Sequence, residues 1–528
     1  MHPKIVIIAL LSICALGTWA GEEMPAFRMP KVKEPAIPKR VMRITDFGAV
    51  PDGKTLNTEA IAKAISTLAE KGGGRLVFPA GLWLTGPISL KSRIELHLEE
   101  GALLKFTDDL SQYPDWTIKI KDEKEKTKAS PINGENLEDV AITGRGVVDG
   151  TGEAWRPVKR SKVTESQWKQ LVGSGGILFE RGGEDIWWPF KPGREDVRPR
   201  LVRLVNCHRV LLEGVTFQNS PGWNLNPTLC EDVTLRNVTV RNPWYSQNGD
   251  GLDLEYCRNV VVRDSRFDVG DDAICLKSGL NERGRRINVP TENVLVENCV
   301  VYHGHGGVTI GSEMSGGVRN VRVDNCTFIG TDLGLRFKST RGRGGVVEKI
   351  YISNVRMTDI PTDAIGFNMY YGGHAPTEAP NHPVETGAAN TPAVDEGTPQ
   401  FRDIYIQNVI CRGARRAVAL QGLPEMPIRG IHLRNISITS DRGIECRDAE
   451  DIALEHVEIL NTTGPVLTFS NARNVRVDGL SHGAKTGPVI LANGRENGGI
   501  VIRNTDVKED GQGIGLAGGA TRAAFDIK

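Results

Sequence analysis

Val294-Leu295-Val296-Glu297-Asn298-Cys299 is followed, one period on, by Val321-Arg322-Val323-Asp324-Asn325-Cys326. The same apolar-x-apolar-x-polar pattern starts at Val210, Val233, Val260, Val294, Val321, Ile350, Ile404, Ile431, Ile452, Val475 and Ile500. Successive starts are 23, 27, 34, 27, 29, 54, 27, 21, 23 and 25 residues apart. Alternating apolar positions mark short strands, and a period in this range, with one double-length gap, marks stacked coils. The fifth position is Asn237, Asn298, Asn325, Asn354, Asn408, Asn435 and Asn504. A polar side chain recurring at a turn can bond to the next coil and satisfy backbone groups that the turn leaves open. The pattern predicts an all-β chain, a right-handed parallel β-helix in which side chains distant in sequence become neighbours on one face.

Outward from this core, Thr58 to Glu70 carries apolar residues at Ile61, Ala64, Ile65 and Leu68, and Gly72-Gly73-Gly74 stops the pattern. This predicts one short helix capping the open N-terminal end of the solenoid. Before it, residues 21–40, with Pro25, Pro30, Pro35 and Pro38, read as an extended arm. Residues 1–20 read as a secretion signal: Lys4 precedes the apolar run Ile5 to Leu16, and Ala20 suits cleavage. Cys14 invites a lipoprotein reading, which Ile13 disfavours. The mature chain is therefore expected to be secreted or periplasmic, with no membrane span, and is read as a monomer.

Residues 41–528 read as a single catalytic solenoid with insertions near 156–199 and 370–399, which are expected to wall the binding face. Lys119 to Lys128 reads as a solvated loop. The mature cysteines include Cys207, Cys230 and Cys257 at repeat-like spacing, and they read as small stacked core residues more readily than as disulfides. Lys+Arg and Asp+Glu are both 65, so no global field favours nucleic acid or a membrane surface. A preference for an acidic substrate has to be built locally.

Four stretches supply such a site: Asn248-Gly249-Asp250-Gly251, Gly270-Asp271-Asp272-Ala273, Gly304-His305-Gly306 and Arg336-Phe337-Lys338. Asp271 lies eleven residues after Val260 and His305 eleven after Val294, so the two are expected to stack on adjacent coils. Asp250 and Lys338 each lie seventeen after their repeat starts, Val233 and Val321, which places them level as well. Crowded carboxylates shift one another's proton affinity, so one can act as an acid while others stay ionised. Arg336 and Lys338, two apart on a strand, project to one side and suit a sugar carboxylate. Singly, each stretch is commonly structural, but their order and shared register favour a joint chemical role.

Together the four stretches resemble the signatures of glycoside hydrolase family 28, the polygalacturonase family: Asn-x-Asp, Asp-Asp, Gly-His-Gly and Arg-x-Lys. The resemblance extends to Asp46-Phe47-Gly48-Ala49 with Asp52-Gly53, and covers most of the span from Ile44 to about Gly479. It implies a pectin-lyase-like solenoid that hydrolyses α-1,4-galacturonosyl bonds of a pectic substrate with inversion, using no metal or other cofactor. By motif position it implies Asp271 as general acid, Asp250 and Asp272 activating water, and His305 holding the acid's protonation state. Arg336 and Lys338 would bind the galacturonate carboxylate, with Asn248 and Tyr370 as further substrate contacts. Inversion would set acid and base apart by room for a water.

Gly249 in the first motif and Lys277-Ser278-Gly279, with Arg283, Arg285 and Arg286 after it, resemble the exo-acting bacterial branch. Those cations are candidates for further uronates. Asn226 stands where a histidine is expected. Endo cleavage, or a rhamnogalacturonan or xylogalacturonan substrate, remains an alternative on the same chemistry. A calcium-dependent pectate lyase and a non-catalytic carbohydrate-binding solenoid are the readings from other classes.

Overall fold

Alternate residues of each repeat point inward and meet the same position of the next coil, so the core is a set of aliphatic columns. One column runs through Val140, Val210, Val233, Val260, Val294, Val321, Ile350, Ile404 and Ile431, each paired in parallel register with the next. A second runs through Leu225, Leu252, Ile274, Val308, Leu335, Ile365, Val418, Ile444, Leu467, Ile490 and Ile514. All of these are buried, and each such side chain contributes roughly 1.5–3 kcal/mol by leaving water. The computed structural model describes residues 24–189, 198–372, 391–508 and 510–528, and in it the chain is a right-handed parallel β-helix. The segment read as a secretion signal lies outside the described residues.

The cap forms as its periodicity predicts: a helix over Thr58–Glu70 buries Ile61, Ala64, Ile65 and Leu68. The arm runs extended across successive coils, with Ala36 N donating to Asp139, Glu34 paired to Arg236 at 2.8 Å, and Asn320 donating to Arg28 O. Ile350 pairs directly with Ile404, so the double-length gap is one coil carrying an insertion, not two coils. The eight cysteines from Cys207 onward are free and buried, as stacked core residues should be.

The turn asparagines do bond from coil to coil. Asn325 Nδ2 donates to Asn298 Oδ1 at 2.8 Å, and Asn435 donates to Asn408, which donates to Asn354, both at 3.1 Å. Asn408 also holds φ at +54°, a left-handed conformation that asparagine tolerates better than most residues. Asn408→Ala removes two ladder bonds and strains the turn. The expected cost is about 1–3 kcal/mol, read as a lowered denaturant midpoint with an unchanged slope. An unchanged midpoint would deny the ladder any part in stability.

Two segments differ from the reading of the sequence. The lysine-rich run is not a solvated loop. Asp115–Ile120 and Glu123–Lys128 form an antiparallel hairpin whose Ile118 and Ile120 pack on Val205, Tyr256 and Ile287. On the same face Glu125, the cross-strand partner of Ile118, pairs with Arg203 at 2.7 Å. The insertion after Arg156 is a small subdomain: helix Glu165–Gly173 lies against a three-stranded antiparallel sheet of Val158–Lys159, Ile177–Arg181 and Glu184–Trp188. Val158, Trp168 and Trp187 form its core, and Tyr245 of the solenoid packs onto it.

Candidate active site

The strands Leu252–Glu255, Ile274–Lys277, Gly304–Gly311 and Thr331–Lys338 lie side by side, and the four signature stretches fall at or just before them. Asp271 and His305 do stack. His305 N donates to the backbone oxygen of Asp271 at 2.9 Å, and His305 Nδ1 lies 3.2 Å from Asp271 Oδ1. Asp271 and Asp272 precede the regular strand, which frees both from its alternation: Asp271 meets His305, and Asp272 meets Arg336 and Lys338. Asp272 is fully buried between two cations, Arg336 Nη1 at 2.8 Å and Lys338 Nζ at 2.6 Å. Phe337 between them points inward and stacks on Phe367 at 4.1 Å, which fixes the outward direction of its neighbours. Gly306 leaves room for this pair, since a Cβ there would come within 2.9 Å of Asp272 Oδ1.

The expected level pairing of Asp250 with Lys338 does not occur. From Val260 to Ile274, Val294 to Val308 and Val321 to Leu335 the count is fourteen, but from Val233 to Leu252 it is nineteen. The five extra residues lie in the turn before Asp250, which therefore sits level with Asp272: Gly251 N donates to Asp272 O at 2.9 Å. The three carboxylates each place an oxygen within 4.8 Å of the others. The coils thus bring Asp250 and Asp272 into direct stacking, with Asp271 beside them.

Tyr370 does not join the site. It is buried in the core with Arg341 over its ring, while the next residue, Tyr371, lies over Lys338 Nζ at 4.8 Å and over Arg336 at 5.7 Å. Asn248, at φ +51°, uses its backbone N–H on Asp271 Oδ2 at 3.2 Å, and its side-chain oxygen accepts from Arg198 at 2.9 Å. It therefore orients Asp271. Asn226 is buried and donates to Asp253 O at 3.0 Å, acting as a backbone clamp.

The cations after Asp272 are already engaged. Lys277 Nζ lies 2.9 Å from Glu313, 3.3 Å from Asp253 and 3.8 Å from Asp250, with Trp223 4.0 Å away beneath it. Arg283 and Arg286 pair with Glu123 and Glu125 of the hairpin, and Arg285 with Glu396. Asp253, Glu313, Trp223 and Tyr371 have no motif to announce them. Their charge or ring sits beside the signature residues only after coiling.

The electrostatics separate the three acids. Burial, then the charges of Asp271 and Asp253, push Asp250 well above the usual carboxylate range. Burial acts the same way on Asp272, but Lys338 and Arg336 overcome it and hold that group far below. Asp271 is also pushed up by burial, yet the bond from His305 outweighs this and holds it down. That same bond raises His305. The proton of the Asp271–His305 pair thus rests on the imidazole in the free protein, and Asp250 is the carboxyl that most readily holds one.

These shifts set the direction of stability with pH. Burial raises Asp253 and Glu255 to about 7 and Asp448 to about 6, so the folded chain keeps protons that the unfolded chain releases near pH 4. Stability therefore falls as pH rises from about 4 to 7. His305 adds to this, since its stabilisation is complete below its unfolded value and is lost as pH rises through the raised one. Depressed groups such as Asp272 and Glu125 act in the other direction only at lower pH, where their stabilisation is lost. Melting temperature is expected to be several degrees higher at pH 5 than at pH 8, for a net effect of a few kcal/mol. A melting temperature that is flat or rises over that interval would contradict the assignment.

Among the described residues no helix is long and apolar enough to cross a membrane. A sequence model of glycosyl hydrolases family 28 matches residues 158–453. A probable polygalacturonase of Vitis vinifera is 32% identical over 449 residues, covering 82% of each chain. The crystal structure of a hyperthermoactive exopolygalacturonase from Thermotoga maritima superposes with a TM-score of 0.65 at 31% identity, covering 85% of this chain and 94% of that one. An endo-polygalacturonase of Pectobacterium carotovorum matches at 25% identity, over 73% of this chain and 84% of its own.

Proposed function

Since the chain belongs to glycosyl hydrolase family 28 and is a glycoside hydrolase of the polygalacturonase type, we propose that it is an exported exo-polygalacturonase. It would cleave terminal α-1,4-galacturonosyl bonds of pectin by single displacement with inversion. The observation that carries this reading is the cluster of Asp250, Asp271 and Asp272 with His305 on one side and Arg336 and Lys338 on the other.

Each residue takes a role from its surroundings. Asp271 is the general acid, and His305 is its proton reserve across 3.2 Å. A uronate entering the groove brings negative charge and excludes water, and both raise Asp271, moving the proton from imidazole to carboxyl. The glycosidic oxygen takes it from there. Of the remaining two, Asp250 serves as the base from its ionised form, which burial disfavours and Lys277 Nζ, 3.8 Å away, favours. Asp272, ionised and held by two cations, orients the water and fixes Arg336 and Lys338, whose outer faces with Tyr371 receive the sugar carboxylate.

The short spacing of the carboxylates would by itself favour a covalent intermediate. Single displacement is taken instead from the resemblance of the four signature stretches to those of family 28, which implies that Asp250 and Asp272 activate a water. Exo action is supported by the walls of the groove. The insertion subdomain reaches Gln247 and Asn248 through Arg198, and the hairpin binds the short helix Asn281–Ile287 on the other flank.

Proton NMR of the first product formed from tri-galacturonate, together with viscometry on polygalacturonate, tests the reading. Release of the β-anomer of galacturonate with slow viscosity loss is expected. An initial α-anomer would overturn inversion, and rapid viscosity loss would mean endo cleavage. An ultraviolet-absorbing product abolished by chelator would replace hydrolysis by elimination.

A further inference from the structure

Beside the general acid, on the flank away from Lys277, lies a hollow of about 110 Å³ that the mechanism above leaves unused. Asp271 and His305 line it together with Lys159, Lys162 and Trp244. We infer that Lys159, Lys162 and Trp244 form a second carboxylate-binding subsite, which takes a further uronate of the same acidic oligosaccharide. The inference rests on the galacturonan reading and extends it to residues outside the regular coils.

Three observations support it. Trp244 is 56% exposed although it stands on an ordered turn, where Ser246 donates to Pro243 O through both its backbone N–H, at 2.9 Å, and its hydroxyl, at 2.7 Å. A large indole held in solvent by a fixed turn is a stacking surface for the apolar face of a pyranose ring. Lys162 Nζ lies 5.6 Å from the centre of that ring, so charge and platform address the same volume. Both lysines are carried by the folded subdomain: Lys159 pairs with Ile186 in its sheet, and Lys162 ends the turn Arg160–Lys162.

The chemistry selects an anion. A neutral sugar is served by a ring platform and amide or hydroxyl partners, and gains less from two ammonium groups than an anion does. A C6 carboxylate gains a charge-assisted contact from each. Of the nearby acids, Glu184 is 3.8 Å from Lys159 and is itself bound by Ser161, so it offsets that lysine only in part. The hollow opens directly onto Asp271, so the ring it holds is one that neighbours the cleaved bond along the same chain.

The test is direct binding of tetragalacturonate and of its carboxyl-reduced, neutral counterpart. It is measured by calorimetry with the full chain carrying Asp271→Asn to prevent turnover. Adding Lys159→Met with Lys162→Met is expected to weaken the acidic ligand about tenfold and leave the neutral one unchanged. Adding Trp244→Ala instead is expected to weaken both. Equal affinity for tetragalacturonate with and without the two lysines would overturn the subsite, as would no binding of the acidic ligand at all. Turnover is scored separately with the Asp271 protein. A lysine-dependent, charge-selective affinity without release of galacturonate would remove the hydrolytic reading and leave the subsite standing.

Discussion

Asp271→Asn is expected to lower kcat on oligogalacturonides by about 10²–10⁴-fold with little change in KM, measured as release of reducing sugar. The amide keeps the shape of the carboxyl, but its single oxygen can accept from only one of the two backbone N–H groups that meet Asp271, Asn248 N at Oδ2 and Asp272 N at Oδ1. What it loses is the proton that travels between Asp271 Oδ1 and His305 Nδ1. The two states of that pair differ only in which atom holds the proton, so His305→Gln should reproduce part of the loss by another route. Without the imidazole Asp271 loses both its proton reserve and the contact that holds it low, and the basic limb of the kcat/KM profile should move. A residual rate in Asp271→Asn within tenfold of the wild type would mean that another group delivers the proton. Asp250, with its raised affinity, would then be the candidate, and the acid and base roles would exchange.

What the sequence made legible, and what it hid, follow from the same physics. The columns through Val210 to Ile431 could be read because each coil needs an inward aliphatic at the same place, and that demand recurs along the chain. The stacking of His305 on Asp271 could be read because their coils have equal counts between the two strands. Asp250 was misplaced because five residues in one turn changed the count, and turns are free to vary where the columns are not. The hairpin at Asp115–Lys128 was hidden by its composition: alternate Lys and Glu look like a solvated run until buried Arg203 is seen to answer Glu125. Tyr371 escaped because one residue past a strand end reverses which face a side chain takes. Lys277 showed in the sequence as a cation, but Glu313, its partner thirty-six residues on, carried no local sign of the pairing. A reading by motif therefore finds the groups that every coil positions alike, and misses those placed by turns and insertions.

Asp272→Asn puts this to the hardest test, because the same side chain is both part of the chemistry and the keystone of a buried charge cluster. In the native chain its two oxygens each accept from one cation, Arg336 at Oδ1 and Lys338 at Oδ2. The amide can accept through its oxygen alone, and its NH₂ group then faces the other cation. Breaking one partner of a buried pair leaves charge uncompensated, which costs about 3–5 kcal/mol. Tyr371, lying over both cations, softens this only slightly. The denaturant midpoint should fall accordingly with an unchanged slope, and activity should fall by at least the hundredfold expected for loss of the group that orients the water. Pairing the change with Lys338→Met separates the two effects. Removing the orphaned cation should recover part of the stability and none of the activity, because the carboxylate that orients the water is still missing and a uronate now loses Lys338 as well. If the double variant were instead no more stable than Asp272→Asn, the ion pair would be a bystander, and the burial of Asp272 would have to be sustained by the fold around it.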